Sequence, residues 1–131
     1  MAQTDTTTRI KQVGTVIVPV SNQDRALEFY VGTLGLEKRT DMPFGDGDRW
    51  VEVAPRGAAT TVAIVPPREG DSAGIETRVA FSTEDVDADH ADLKARGVDV
   101  DDAVMRMGDP VPPMFWFRDP TGHTLMVVEQ A

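Results

Sequence analysis

The chain has 131 residues, no cysteine and a formal net charge of −9 at pH 7. Its length predicts a single domain. The lack of cysteine excludes disulfides and thiolate metal sites, and it fits the reducing cytoplasm, where we expect the protein. The negative charge disfavours binding to nucleic acid and to anionic membranes. The polar first ten residues lack the apolar segment of a signal peptide, and no apolar run reaches the roughly 20 residues that span a bilayer.

The first half of the chain predicts a strand, a helix and three further strands. An apolar, β-branched run at 15–20 indicates the first strand. Ser21 and Asn22 can cap a helix at about 23–33, which Gly35 ends. The remaining strands are predicted at 36–41, 50–54 and 60–65, with turns rich in glycine, aspartate and proline between them.

The second half repeats this order 63 positions later. It predicts a strand at 78–82, a helix at 86–96 ended by Gly97, and strands at 98–101, 103–107, 114–118 and 124–129. A repeat of this length indicates a βαβββ unit present twice. We therefore predict one domain, residues 1–131, with module one at about 12–66, a linker at 67–75 and module two at about 76–130.

Alternation along the predicted strands separates two faces of the sheet, because successive side chains point to opposite sides. One face is uniformly apolar and should lie under the helices. The other face, called the open face below, is mixed and carries threonine, methionine, tryptophan and two charged residues, Glu52 and Arg78. A mixed, curved face is where a small ligand is expected to bind.

Two motifs carry a family resemblance: Phe29-Tyr30 before Leu34-Gly35-Leu36, and the closing segment Phe117-Arg118-Asp119-Pro120-Thr121-Gly122. With the paired opening strands, they resemble the vicinal oxygen chelate superfamily over residues 12–130. That superfamily includes glyoxalase I, extradiol dioxygenases and the fosfomycin- and bleomycin-resistance proteins. The resemblance implies an α+β fold in which two βαβββ modules form a curved mixed sheet around a cavity, with helices on the outer face. It also implies a homodimer.

Metal enzymes of this superfamily place ligands at set points, which fall here on Thr15, Arg78 and Met126, with Thr61 or Ala63 as the fourth. None suits a divalent first-row metal, and an arginine would repel it. The remaining candidates do not restore a site. His90 is expected to be solvated on the acidic second helix, His123 to lie in a turn or at the rim, and Glu129 to face the wrong side of its strand. We therefore predict no metal and no other cofactor.

The two charged residues of the open face allow two interpretations. Glu52 and Arg78 could pair with each other, or Arg78 could pair with a carboxylate at the rim, since buried charges are normally paired. Alternatively, Arg78 binds an anionic group of a ligand through its fork of donors. In that case Glu52, in a partly dry cavity with a raised pKa, could be a catalytic general base.

The remaining candidates for ligand contact have side chains that stack on flat rings or adapt to irregular shapes. Ordinary packing or contact across a dimer would use the same residue types. Together with Glu52 and Arg78, the predicted ligand-binding residues are Thr15, Trp50, Met105, Met114, Trp116 and Met126.

Three functions compete on this sequence. The leading hypothesis is a metal-independent protein that binds a drug or metabolite, planar or anionic, without turnover. The alternative is an enzyme of the same superfamily, a lyase, isomerase or dioxygenase, either metal-free with Glu52 as base or metal-dependent with unusual ligands. The third is a degenerate domain that serves only dimerisation or interaction.

Overall fold

The computed structural model describes residues 8–45, 47–72 and 74–130, with only the backbone at Phe44. The first module comprises β1 (Thr15–Pro19), α1 (Gln23–Leu27), a π-helical continuation (Glu28–Thr33), β2 (Glu37–Phe44), β3 (Asp48–Ala54) and β4 (Thr61–Val65). The second comprises β5 (Glu76–Thr83), α2 (Val86–Ala95), β6 (Asp99–Val100), β7 (Met114–Arg118) and β8 (Thr124–Glu129). Within the described residues, no helix is long and apolar enough to cross a bilayer.

The strand order shows that the sequence repeat is a structural repeat. The two sheets run β1-β4-β3-β2 and β5-β8-β7-β6, so equivalent strands occupy equivalent places. In each sheet the first strand pairs in parallel with the last, and the other neighbours are antiparallel. The predicted α+β fold with curved mixed sheets is confirmed.

The strand predicted at 103–107 is wrong. Only Met105 pairs there, through one bridge to Met114 with backbone hydrogen bonds of 2.7 and 3.1 Å. Continuing this antiparallel register would set Met107 opposite Pro112, which has no N–H to donate. The first helix also differs from prediction, because its last six residues are π-helical. Its cap is as expected, since the Asn22 side chain accepts from the Arg25 N–H at 3.0 Å.

One hydrophobic core joins both modules. It contains the inner-face residues of the two sheets together with buried residues of both helices. The predicted alternation holds, since Val51, Val53, Phe115, Phe117 and Leu125 are all fully buried. The ring of Phe29, from the helix of the first module, lies 6.1 Å from the ring of Phe117 in the second. Because the inner faces share this core, the two open faces point away from it on opposite sides of the chain.

A buried polar network at the Asp119 turn holds the modules together. One carboxylate oxygen of Asp119 accepts the N–H groups of Thr121 (3.0 Å) and His123 (2.9 Å). The other accepts the Tyr30 hydroxyl at 2.7 Å, across 89 positions of sequence. Asp119 and Tyr30 are both buried. The motif residues behind the family resemblance therefore have a structural role in joining the two halves.

Both histidines differ from expectation. His123 is not at the rim but fully buried. Its Nδ1 accepts from the Ile75 N–H at 3.2 Å, so its Nε2 carries the proton and donates to the Pro19 carbonyl at 2.5 Å. His90 is half-buried, with its Nε2 2.6 Å from the Asp101 carbonyl and its ring edge-on to Phe115. Both side chains serve packing and cross-linking of the fold.

Candidate ligand-binding faces

The open face of the first sheet brings Thr15, Trp50 and Glu52 together. Trp50 Nε1 donates to Glu52 Oε2 at 2.6 Å. Thr61 Oγ donates to Glu52 Oε1 at 2.6 Å, and the hydroxyl oxygens of Thr15 and Thr61 are 2.9 Å apart. The strand register explains this grouping, because Thr15 lies directly opposite Thr61 in the parallel β1–β4 pair.

Counting protons fixes the direction of the bond between Thr61 and Glu52. A threonine hydroxyl has one proton, and Thr61 uses it on the carboxylate. Thr15 can donate its own proton either to the Thr61 hydroxyl at 2.9 Å or to the Thr61 carbonyl at 3.3 Å. The result is a carboxylate held in place by one indole N–H and one hydroxyl, with lone pairs left for a ligand that donates a hydrogen bond.

The pKa of Glu52 is lowered, opposite to the direction expected from the sequence. The hydrogen bond from Thr61 lowers it most, the bond from Trp50 lowers it further, and partial burial opposes both. Hydrogen bonds to the charged form favour ionisation, and here they outweigh desolvation. A lowered pKa makes Glu52 a weaker base, so the geometry favours a fixed acceptor over a proton-abstracting group.

Replacing Glu52 with glutamine is expected to lower stability at pH 7 by about 1 kcal/mol, because an amide nitrogen, which cannot accept, replaces one of the two oxygens that bind Trp50 and Thr61. The effect should depend on pH. A depressed pKa in the folded state contributes stability above the unfolded-state value of 4.5 and loses it as pH falls through the folded-state value. Urea denaturation of both proteins at pH 7 and at about pH 3 should therefore show the difference shrinking in acid. If the difference in stability between the two proteins were larger at about pH 3 than at pH 7, the lowered pKa of Glu52 would be contradicted.

Beside this network lies a depression of about 460 Å³ on the same face. Ile17, Trp50 and Val65 contribute its apolar wall together with Pro19, Pro66 and Pro67. Asp48, Arg68 and Asp71 supply its polar lining. The volume lies within the range that small-molecule sites occupy. Ile17 was absent from the predicted site although strand alternation put it on this face, and it is 57% exposed.

The open face of the second sheet holds the predicted methionines and the second tryptophan. Trp116 lies opposite Met126 across β7–β8, and Met114 lies opposite Met105 in the isolated bridge. All four are partly or well exposed. The structure therefore groups Met105, Met114, Trp116 and Met126 on one face, and separates them from Thr15, Trp50 and Glu52 on the other.

Arg78 stands in a strained bulge at the start of the second open face. The β5–β8 register shifts between Glu76 and Ala80, and Arg78 has φ of 61°. It is the one non-glycine residue with positive φ among those the structure describes. This conformation costs a residue with a Cβ of order 1 kcal/mol or more. The side chain is exposed and makes no hydrogen bond or ion pair with any described residue.

Pairing of Glu52 with Arg78, one of the two interpretations of the sequence, is therefore wrong. The two residues belong to different sheets, and Glu52 is bonded to Trp50 and Thr61 instead. Arg118, which is also near the second open face, already forms an ion pair, because its guanidinium lies 2.7 Å from the carboxylate of Asp101. Arg78 is thus the guanidinium of this face that a ligand could engage.

The residues present do not fit the metal site of the superfamily's enzymes. In the described part of the chain, no three His, Cys, Asp or Glu side chains come together as a metal site would need. At the expected ligand positions, Thr15 and Thr61 bond to each other, Met126 offers a thioether, and Arg78 is cationic. This donor set lacks the imidazoles and carboxylates that a divalent metal requires.

Comparison with known proteins agrees with the fold and places the chain in a family. The model of the Glyoxalase/Bleomycin resistance protein/Dioxygenase superfamily matches residues 9–127. The chain belongs to this superfamily. It is also 32% identical over 126 residues to the uncharacterized protein YetH of Bacillus subtilis (strain 168), covering 92% of this chain and 99% of that one.

Two solved structures of this superfamily's fold are similar to the chain. TnmS3, an antibiotic binding protein from Streptomyces sp. CB03234, is 34% identical with a TM-score of 0.82, covering 95% of this chain and all of TnmS3. A superfamily member from Sphaerobacter thermophilus DSM 20745 is 35% identical with a TM-score of 0.84, covering 92% of this chain and 98% of that one.

Proposed function

We propose that this protein binds a small planar or anionic molecule, a drug or metabolite, without a metal. The observation that carries the proposal is Arg78, an exposed guanidinium without a partner among the described residues, in a strained bulge beside the face of Trp116 and Met126. Strained non-glycine residues concentrate at functional sites, and a free guanidinium suits a carboxylate or phenolate. The likeness to TnmS3, an antibiotic binding protein, supports the same class of ligand.

Binding accounts for the first open face better than catalysis does. Glu52 was the candidate base, and its lowered pKa suits recognition of a ligand that donates a hydrogen bond. The indole of Trp50 offers a flat surface beside this carboxylate. Thr15 would act indirectly, since its hydroxyl orients Thr61 and, through it, Glu52.

A homodimer in the cytoplasm is part of this proposal. Each open face forms only one side of a binding site. Ile17, Met42 and Met107 each expose more than half of their surface. Exposed apolar side chains of this size are typical of an interface or a ligand groove. Light scattering coupled to size-exclusion chromatography tests this state, and a monomer at all concentrations would contradict it.

The binding test uses the fluorescence of the two tryptophans. Protein stripped of metal by chelation, with its metal content measured, is titrated with planar aromatic acids and antibiotics. We expect saturable quenching, and we expect Arg78→Ala to weaken binding of the aromatic acids roughly tenfold or more. Trp50→Phe and Trp116→Phe variants then report which face the ligand occupies.

Arg56→Ala is the matched control, because Arg56 is an exposed arginine in the turn between β3 and β4 and does not line the depression beside Trp50. Arg78→Lys keeps the positive charge but lacks the guanidinium's fork of donors. It should therefore recover part of the affinity that Arg78→Ala loses. Equal affinities for the wild type, Arg78→Ala and Arg56→Ala would overturn the role of Arg78. Binding that appears only after Zn²⁺, Ni²⁺ or Fe²⁺ is restored would overturn metal independence.

A further inference from the structure

A second cavity lies between the modules, on the inner side of the sheets and away from both open faces. It measures about 260 Å³. Residues of both modules form its apolar lining, which includes Leu34, Leu36 and Pro55 of the first and Phe81, Leu93 and Phe117 of the second. The cavity is therefore distinct from the depression beside Trp50, with which it shares no lining residue.

The floor of this cleft is the half-buried ring of Phe81, because Phe117 behind it is fully buried. The rings of Phe81 and Phe117 stack with centroids 6.4 Å apart and an angle of 26° between their planes. Leu93, on α2, is 6% exposed and closes the side of the floor. Such a surface favours an alkyl or aryl group of a ligand, which would bury apolar area there.

The rim of the cleft is acidic. Asp89 and Asp92 lie three residues apart on α2, so their side chains are neighbours on the helix surface. Neither carboxylate forms a hydrogen bond or an ion pair with a described residue. The cation of the lining, Arg96, donates to the Thr33 carbonyl at 2.7 Å. Two carboxylates and one guanidinium thus line the cleft, which leaves it with a net negative charge.

We propose that this cleft is a second binding site, for a small organic cation with an apolar body, such as a primary arylalkylamine. The ammonium group would lie between Asp89 and Asp92, and the apolar group would rest on Phe81 beside Leu34 and Leu36, where the aromatic face of Phe81 also attracts a cation. The protein's net charge of −9 favours approach of such a ligand. This site does not depend on ligand binding at the open faces.

A pair of probes of matched shape tests the charge requirement. 2-Phenylethylamine is protonated at neutral pH, and 3-phenylpropionate has a similar body with the opposite charge. Each is titrated into ¹⁵N-labelled protein and followed by amide chemical shifts. We expect the amine to give saturable shifts at Phe81, Ser82 and Leu93, which line or flank the cleft, and the acid to give none there. Equal shifts with both probes would overturn the proposal.

The double variant Asp89→Asn/Asp92→Asn tests the rim directly. It should weaken binding of the amine on the order of tenfold at low salt. Glu69→Gln/Asp102→Asn is the matched control, since it removes two exposed carboxylates outside the cleft lining and should leave the affinity unchanged. Equal weakening by both pairs would show a general charge effect and overturn the site. Shifts confined to Trp50 and its neighbours would place the amine on the open face instead.

Discussion

Replacing Asp119 with alanine is expected to lower the free energy of unfolding by roughly 3 to 5 kcal/mol. The side chain accepts three hydrogen bonds, from the Tyr30 hydroxyl and from the N–H groups of Thr121 and His123. Alanine would leave three donors without that acceptor, two of them, those of Tyr30 and His123, buried. Each unsatisfied buried donor costs about 1 to 3 kcal/mol, and such losses within one network do not simply add. Urea denaturation measures the change.

Asp119→Asn and Tyr30→Phe give the controls for this prediction. Asparagine keeps the size and one acceptor oxygen, so it should cost clearly less than alanine. Tyr30→Phe removes only the hydroxyl bond between the modules and should cost about 1 to 2 kcal/mol. The cost of the Tyr30→Phe/Asp119→Ala double variant should be less than the sum of the single costs, because both remove the same bond. Strict additivity, or an alanine variant as stable as wild type, would contradict the structure.

Tyr30 is expected to stay protonated in the folded protein well above pH 10. Burial raises its pKa most, and the negative charge of Asp119 and the hydrogen bond to it raise it further. The chain contains a single tyrosine, so tyrosinate absorbance in the ultraviolet reports this residue alone. The folded protein should show almost no tyrosinate at about pH 11, whereas protein unfolded in urea should titrate near the ordinary value of 10.0.

The same shift predicts how stability changes in alkali. A pKa that is raised in the folded state contributes stability that is complete below the unfolded-state value of 10.0 and is lost as pH rises toward the folded-state value. Over that window Tyr30 should reduce the free energy of unfolding by about 1.4 kcal/mol per pH unit. Tyr30→Phe lacks this contribution, so the stability difference between it and wild type should narrow as pH rises above 10. Ordinary titration of Tyr30 in the folded state would show that the hydroxyl is not enclosed.

The glycine, proline and apolar patterns were sufficient to predict most of the fold. Alternation at Val51 and Val53 gave the correct buried face, and Asn22 caps the first helix as expected. The strand predicted at 103–107 is wrong because strand formation also depends on the segment that would pair with it. The residue types there suit a strand, but a strand exists only if its partner can bond, and Pro112 cannot donate. Pairing is a property of two segments, so a local pattern could not reveal it.

The candidate site was predicted as a set of residues but not as an arrangement. Alternation grouped Trp50 with Glu52, and Trp116 with Met126, on open faces, and the structure agrees. The pKa of Glu52 was expected in the wrong direction, because its bonds to Thr61 and Trp50 depend on side-chain geometry across strands. The strain at Arg78 was also invisible, since a bulge of β5 against β8 is a register shift between strands distant in sequence.

By itself the sequence determined the family, the repeated βαβββ order and the faces of each strand, because these follow from side-chain periodicity and short motifs that act locally. The tertiary structure alone decided how the halves meet. Only the folded chain brings Tyr30 to Asp119 and His123 to the Pro19 carbonyl, closing one core between the modules. That shared core turns the two open faces away from each other, so the positions of Glu52 and Arg78 relative to a ligand depend on packing between segments far apart in the chain.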